Sequence, residues 1–282
     1  MRIVNFSVES NEIQIIPLAD FHIGSPQADI ERIKAVTDYI ANTPNCYTIL
    51  NGDLVDNAIR NSRGSVFEAT MSPRDQVTTA VFYLQEIAKK GKIINMIAGG
   101  NHELRSEKES GLSPSDLILA HLMNYDETLN ERYCEDGAYT FLTLIGRKNN
   151  KSGTVPKCTF TIFNLHGSGA GRGIGAKINR LDSMGNIVPA NLYITAHNHQ
   201  VETHRGVMFD VNTNAKTVRE QPCVFVSCNS YLKFGGYGER AGMKPLSRAI
   251  PVITLKAKRV FRGNEDYITK VVECTLKENL ED

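Results

Sequence analysis

Apolar residues gather in short runs rich in Ile, Leu, Val and aromatics at Ile13–Leu18, Tyr47–Leu50, Ile93–Ala98, Tyr139–Ile145, Thr159–Leu165, Leu192–Thr195, Cys223–Ser227 and Val252–Leu255. Runs of this length, bounded by polar or glycine-containing segments, predict buried strands. Between the early runs apolar positions recur at helical spacing, which predicts helices over Ala28–Ala41, Asp75–Lys90 and Ser115–Met123. Each of these stretches is preceded by a Ser-Pro pair, Ser25-Pro26, Ser72-Pro73 and Ser113-Pro114. A Ser hydroxyl can accept from the first free N–H groups, and Pro fits the first helical turn. Asp75 and Asp116 stand three residues after their Ser, as in a capping box.

Strand and helix alternate up to about residue 125, the mark of parallel β-α-β units, and the strands then follow one another closely, which predicts a second, more antiparallel sheet. The expected architecture is two packed sheets with helices outside. No low-complexity linker or fixed-period repeat interrupts the chain, so residues 1–282 are read as a single domain.

Composition narrows the function classes. A chain of 282 residues with 41% hydrophobic content can bury a large core. A net charge of +1 excludes polyanion binding by bulk charge and leaves only local patches. Cys46, Cys134, Cys158, Cys223, Cys228 and Cys274 are scattered with no C-x-x-C pair, as expected of free thiols in a reducing compartment. Met1–Phe6 lacks the apolar core of a signal peptide, and no apolar run approaches the roughly 18 residues of a membrane span. A cytoplasmic protein with no membrane partner is expected.

The chemistry lies where strands end. The first run leads into Asp20-Phe21-His22, the second into Gly52-Asp53-Leu54-Val55-Asp56-Asn57, the third into Gly99-Gly100-Asn101-His102-Glu103, the fifth into His166-Gly167 and the sixth into Ala196-His197-Asn198-His199. A buried Asp such as Asp20 is costly unless its charge is compensated. In α/β sheets the C-terminal strand edges line the ligand crevice, so these residues should converge. Mixed Asp, Asn and His donors suit manganese, iron, zinc or nickel better than calcium or magnesium, and the lack of Cys argues against a structural zinc site.

With these motifs, in this order from Asp20 to His199, the chain resembles the calcineurin-like metallophosphoesterases, and in particular the compact bacterial and phage members related to repair exonucleases. The extra capping domain those exonucleases carry is not expected here. The resemblance implies a four-layer α/β/β/α sandwich of two mixed β-sheets flanked by helices, with a dinuclear metal centre at the sheet edges. One metal would be held by Asp20, His22, Asp53 and His199, the other by Asp53, Asn101, His166 and His197, with Asp53 bridging; manganese is favoured. Ala196 stands where the family's last motif usually begins with Gly. Two cations about 3.5–4 Å apart lower the pKa of a bridging water and clamp the attacking and leaving oxygens at phosphorus. His102 would then donate a proton to the leaving group, oriented by Asp56.

The substrate implied is a phosphoester, favoured as a diester in nucleotides or nucleic acid. A phosphomonoesterase or protein Ser/Thr phosphatase is the alternative, and a metal-free scaffold of the same fold is disfavoured because every ligand position is filled. No partner protein is indicated. The glycine-rich loop Gly167–Lys177, which opens a helix running to about Met184, is read as a substrate-phosphate loop through Arg172 and Lys177. Asn229–Arg240 interleaves aromatics with cations and is read as either a nucleic-acid surface or ordinary packing. The loop Arg147–Lys157 reads as a solvated excursion, and Lys256, Lys258, Arg259 and Arg262 as a solvated strand face.

Overall fold

The apolar runs form strands because one face of each is covered by the facing sheet, and the central ones are covered by helices on the other face as well. A computed structural model describes residues 1–60, 62, 66–146, 156–169, 173–214, 216–242, 244–245, 247–262 and 265–280. In chain order the elements are β1 (Arg2–Val8), β2 (Glu12–Ile15), α1 (Ile30–Asn42), β3 (Cys46–Leu50), α2 (Pro73–Lys89), β4 (Ile93–Ile97), α3 (Glu103–Ser110), α4 (Pro114–Leu122), β5 (Tyr133–Cys134), β6 (Gly137–Ile145), β7 (Lys157–Leu165), α5 (Ile174–Ser183), β8 (Leu192–Thr195), β9 (Glu202–Asn212), β10 (Thr217–Ser227), α6 (Gly236–Arg240), β11 (Ile250–Arg262) and β12 (Glu265–Lys277).

Two six-stranded mixed sheets result, ordered β12-β11-β2-β3-β4-β5 and β1-β6-β7-β8-β10-β9. In the first, β2, β3, β4 and β5 run parallel; in the second, β7, β8 and β10 do. Ile13, Ile15, Ile49, Ile94, Ile253 and Leu255 of the first sheet meet Leu142, Phe160, Ile162, Ile194 and Val226 of the second in one apolar layer. Each such side chain contributes about 1.5–3 kcal/mol on burial. Helices α1, α2 and α4 cover the outer face of the first sheet, and α5 packs on the second with Leu181 against Phe163, Tyr193 and Phe225. Layers therefore run helix, sheet, sheet, helix. Ala196 is fully buried in the inter-sheet layer, so its methyl fits.

The two sheets do not divide the sequence at about residue 125. β1, the first strand, pairs in parallel with β6 of the later sheet, and the late strand β11 pairs antiparallel with β2. β2 would otherwise be an unpaired edge, which β11 and β12 cover. Strands β1, β9 and β12 alternate or stand largely exposed and so carry no continuous apolar run.

The Ser-Pro signals diverge in outcome. Ser72 caps α2, its Oγ accepting from Asp75 N at 3.2 Å and donating to Asp75 Oδ2 at 2.7 Å. Ser113 occupies the cap of α4 without a side-chain bond, and Asp116 instead accepts from Tyr133 Oη at 2.5 Å. Ser25-Pro26 does not open α1, which starts at Ile30 with Asp29 accepting from Arg32 N at 3.4 Å. Ala28 bridges to Leu232, and Asp29 N donates to Tyr231 O at 2.8 Å, so residues 25–29 are held as a turn against that segment. Tyr231 is buried and meets Phe21 edge-on at 4.8 Å, which places this aromatic of Asn229–Arg240 in packing; Phe234 is exposed. Lys256 pairs with Glu12 at 2.6 Å on the surface. The loop reading at 147–155 falls outside the described residues. All six cysteines are free thiols, and no described helix is long and apolar enough to cross a membrane.

Candidate metal centre

Strands β2, β3 and β4 of one sheet and β7 and β8 of the other run in parallel within each sheet, and their C-terminal ends meet at one edge. Asn51 Nδ2 donates across the sheets to Leu165 O at 2.8 Å, and Asn51 O accepts from His166 Nδ1 at 2.7 Å. The loops after β2 and β3 are laced together: Asp20 N donates to Gly52 O, and His22 N to Asp53 O, both at 3.1 Å. Asp20, His22, Asp53, Asn57, His197 and His199 all lie in the left-handed region, at φ of 52°, 47°, 53°, 44°, 67° and 55°. Each such non-glycine conformation costs on the order of 1–3 kcal/mol, and it turns these side chains inward from successive strand ends.

Three groupings of donor atoms form, each within 4.8 Å: Asp20, His22 and His199; Asp53, His166 and His197; and His22, Asp53 and His102. His22 Nε2 faces His199 Nε2 across 3.0 Å, and Asp20 Oδ1 lies 3.3 Å from His199 Nε2. His166 Nε2 is 3.2 Å from Asp53 Oδ2, and Asn101 Oδ1 is 2.6 Å from His197 Nδ1. Asp53 thus belongs to two groupings, as a bridging carboxylate would. His102 joins one of them through Nε2, 3.9 Å from Asp53 Oδ2.

Asp20 Oδ1, His22 Nδ1, Asp53 Oδ2 and His166 Nε2 are buried with no hydrogen-bond partner. Leaving such groups unmade costs about 1–3 kcal/mol each, more for charges, and a cation bound among them would offset that cost. The donor chemistry fits a divalent cation with mixed O and N preference. His166 Nδ1 already donates to Asn51 O, which leaves the Nε2 lone pair facing the cluster.

The electrostatics agree. Burial would raise the carboxyls of Asp20 and Asp53, but the surrounding imidazoles outweigh it and hold both below the usual range, His199 leading for Asp20 and His166 for Asp53. Burial and His102 bring His22 down to about 4. His166 rises to about 10 because Asp53 overcomes its burial. Burial also opposes charge on His102, yet Asp56 and Asp53 raise it. These are anion and imidazole pairs waiting on a common positive charge.

Asp56 meets the His102 ring through both its backbone and its side chain. Its backbone carbonyl accepts from His102 Nδ1 at 2.6 Å, whereas its carboxylate stands at 3.5 Å from that nitrogen. Lys177 donates to Asn198 O at 2.9 Å and to Gln200 Oε1 at 3.2 Å, and so ties down the loop carrying His197 and His199. Arg172 lies outside the described residues. Gly169 O, from the same glycine-rich loop, sits 3.1 Å from His197 Nε2.

Glu103 carries a role that the motif reading passed over. It is 0% exposed, and its carboxylate accepts from Asp53 N at 3.1 Å, Leu54 N at 2.7 Å and Val55 N at 3.3 Å. Burial and the Asp53 charge push it up to about 7. Asn57 Nδ2 donates to His102 O at 2.7 Å and fixes the same corner. The one sequence signal was a carboxylate directly after Asn101-His102 and the glycine pair.

The family model of calcineurin-like phosphoesterases matches residues 13–215. No curated protein matches the chain. Among solved structures, vacuolar protein sorting 29 from Cryptosporidium parvum aligns at 10% identity over 94% of this chain and 99% of that one, with a TM-score of 0.38. The zinc complex of wild-type vacuolar protein sorting 29 from Entamoeba histolytica aligns at 11% over 92% and 99%, TM-score 0.37. A metallophosphoesterase from Sphaerobacter thermophilus aligns at 11% over 87% and 84%, TM-score 0.35. The family match spans the strand ends from Asp20 to His199 and most of the chain, and the chain belongs to the calcineurin-like phosphoesterases.

Proposed function

We propose that this metal-dependent phosphoesterase holds two divalent cations, manganese by preference, on Asp20, His22, Asp53, Asn101, His166, His197 and His199, and hydrolyses phosphodiesters in nucleotides or nucleic acid. The observation that carries the reading is the set of buried, unpartnered atoms Asp20 Oδ1, Asp53 Oδ2 and His166 Nε2, converging from both sheets. When bound, such cations supply charge for the phosphoryl oxygens and activate water. The chain's own residues do the rest. Asp53 turns Oδ2 toward both His166 Nε2 and His102 Nε2, and its Oδ1 accepts from His102 N at 2.9 Å, which locks its orientation. His102, half-buried at the rim, is the group placed to hand a proton to the departing oxygen, with Asp56 favouring its charged form. His197 and His199 remain partly exposed, so substrate reaches the edge from solvent. We take the whole chain as the working domain, since strands from both ends complete the two sheets.

The test is manganese-loaded protein assayed side by side on bis-p-nitrophenyl phosphate, p-nitrophenyl phosphate, cyclic nucleotides and single- and double-stranded DNA. Diester turnover that exceeds monoester turnover supports the reading, and the reverse order favours a phosphomonoesterase. Asp53→Ala should lose both cations by metal analysis together with all activity; retention of both would overturn the bridging role.

A further inference from the structure

Arg105 stands in the first turn of α3, three residues after His102 and on the same side of the helix. A cation at a helix N-terminus opposes the macrodipole, and here the Asp56 carboxylate offsets that cost. Arg105 Nη2 lies 3.0 Å from His102 Nε2, and Nη1 donates to Asp56 O at 3.3 Å. A guanidinium keeps its charge and only donates, so His102 Nε2 is the acceptor of that contact, and Nδ1 carries the hydrogen given to Asp56 O. These two acceptors carry no charge, an imidazole lone pair and a peptide carbonyl, while the Asp56 carboxylate lies close enough to attract the guanidinium. Phosphate oxygens bind a guanidinium more strongly, and two at a time. The fork also meets the same His102 nitrogen that lies 3.9 Å from Asp53 Oδ2, on the carboxylate shared between two groupings.

We infer that Arg105 is a substrate-binding residue: its guanidinium leaves His102 Nε2 for two non-bridging oxygens of a phosphoryl group seated against Asp53, and in doing so frees that nitrogen to take up from solvent the proton that His102 then hands to the departing oxygen. The inference rests on the phosphoesterase reading of this site. It assigns to α3 a phosphate clamp, and it makes the exposure of His102 depend on substrate. Lys at this position would keep the charge and lose the paired geometry.

The test titrates inorganic phosphate into manganese-loaded wild type, Arg105→Ala, Arg105→Lys, Arg105→Gln, His102→Ala and the His102→Ala/Arg105→Ala double variant by calorimetry, with metal analysis and melting curves on each. Arg105→Ala and Arg105→Gln should weaken phosphate about 10-fold to 100-fold with cation content and melting unchanged, and Arg105→Lys should recover part of the loss. The loss should be the same size in the His102→Ala background. Equal phosphate affinity in wild type and Arg105→Gln, a loss that vanishes without His102, a loss of cations on removing Arg105, or no phosphate binding by wild type would each overturn the assignment. Phosphoester turnover is run in parallel. Arg105-dependent phosphate binding without turnover would overturn the hydrolase reading and leave the clamp, and turnover with Arg105-independent phosphate binding would do the opposite.

Discussion

Glu103→Gln, measured above pH 7 where the carboxyl is ionised, is the most informative single change, because it removes one charge and one acceptor while keeping shape. The carboxylate accepts from three consecutive backbone N–H groups, Asp53, Leu54 and Val55, at a position with no solvent access. The amide retains one oxygen, so at least one of those N–H groups faces an NH2 donor and loses its acceptor. A buried N–H left unpaired costs about 1–3 kcal/mol, and loss of the charge weakens the bonds that remain, so destabilisation of about 2–4 kcal/mol is expected. For a chain of this size that lowers the melting midpoint by roughly 4–10 °C. Asp53 is the residue whose own amide is released, so the cation affinity of the grouping with His166 and His197 should fall about 10-fold to 100-fold. Equilibrium dialysis against manganese with metal analysis, and melting curves with and without manganese, measure the two effects separately. Glu107→Gln, on the exposed face of the same helix, is the control and should change neither. A Glu103→Gln protein with wild-type melting and wild-type cation affinity would refute the claim that Glu103 holds the Asp53 loop.

Two further outcomes follow from the geometry. Gly100→Ala should abolish cation binding, seen by metal analysis, because an added Cβ would lie 2.1 Å from Glu103 Oε2 and 2.3 Å from Asp53 N, both immobile. His102→Ala should keep both cations and lower turnover about a hundredfold or more, with a smaller loss on p-nitrophenyl esters, whose leaving group needs little protonation; an equal loss across leaving groups would remove His102 as the proton donor.

The strand ends were legible in the sequence because an apolar run that stops at Asp, His or Asn marks both a buried strand and a polar edge. Five such edges in fixed order carried the resemblance, and all five meet at one site. Helices α2 and α4 were legible for a similar reason: Ser72-Pro73 and Ser113-Pro114 restrict the local backbone whatever surrounds it. The same dipeptide at Ser25-Pro26 did not start α1, since the pairings of Ala28 and Asp29 with the segment around Tyr231 come from about two hundred residues away and override the local preference. Partnering of β1 with β6, and of β11 with β2, was equally beyond local pattern, because strand order depends on which edges remain unpaired once the rest has folded. Residue types determined which chemistry this protein can perform. Tertiary structure alone decided that Glu103 grips the Asp53 loop, that the Asp56 carbonyl is the closer partner of His102, and that Arg105 meets the Nε2 of that ring. Each of these is a contact between a side chain and a distant backbone or neighbour, set by left-handed turns and packed sheets that no single stretch of sequence encodes.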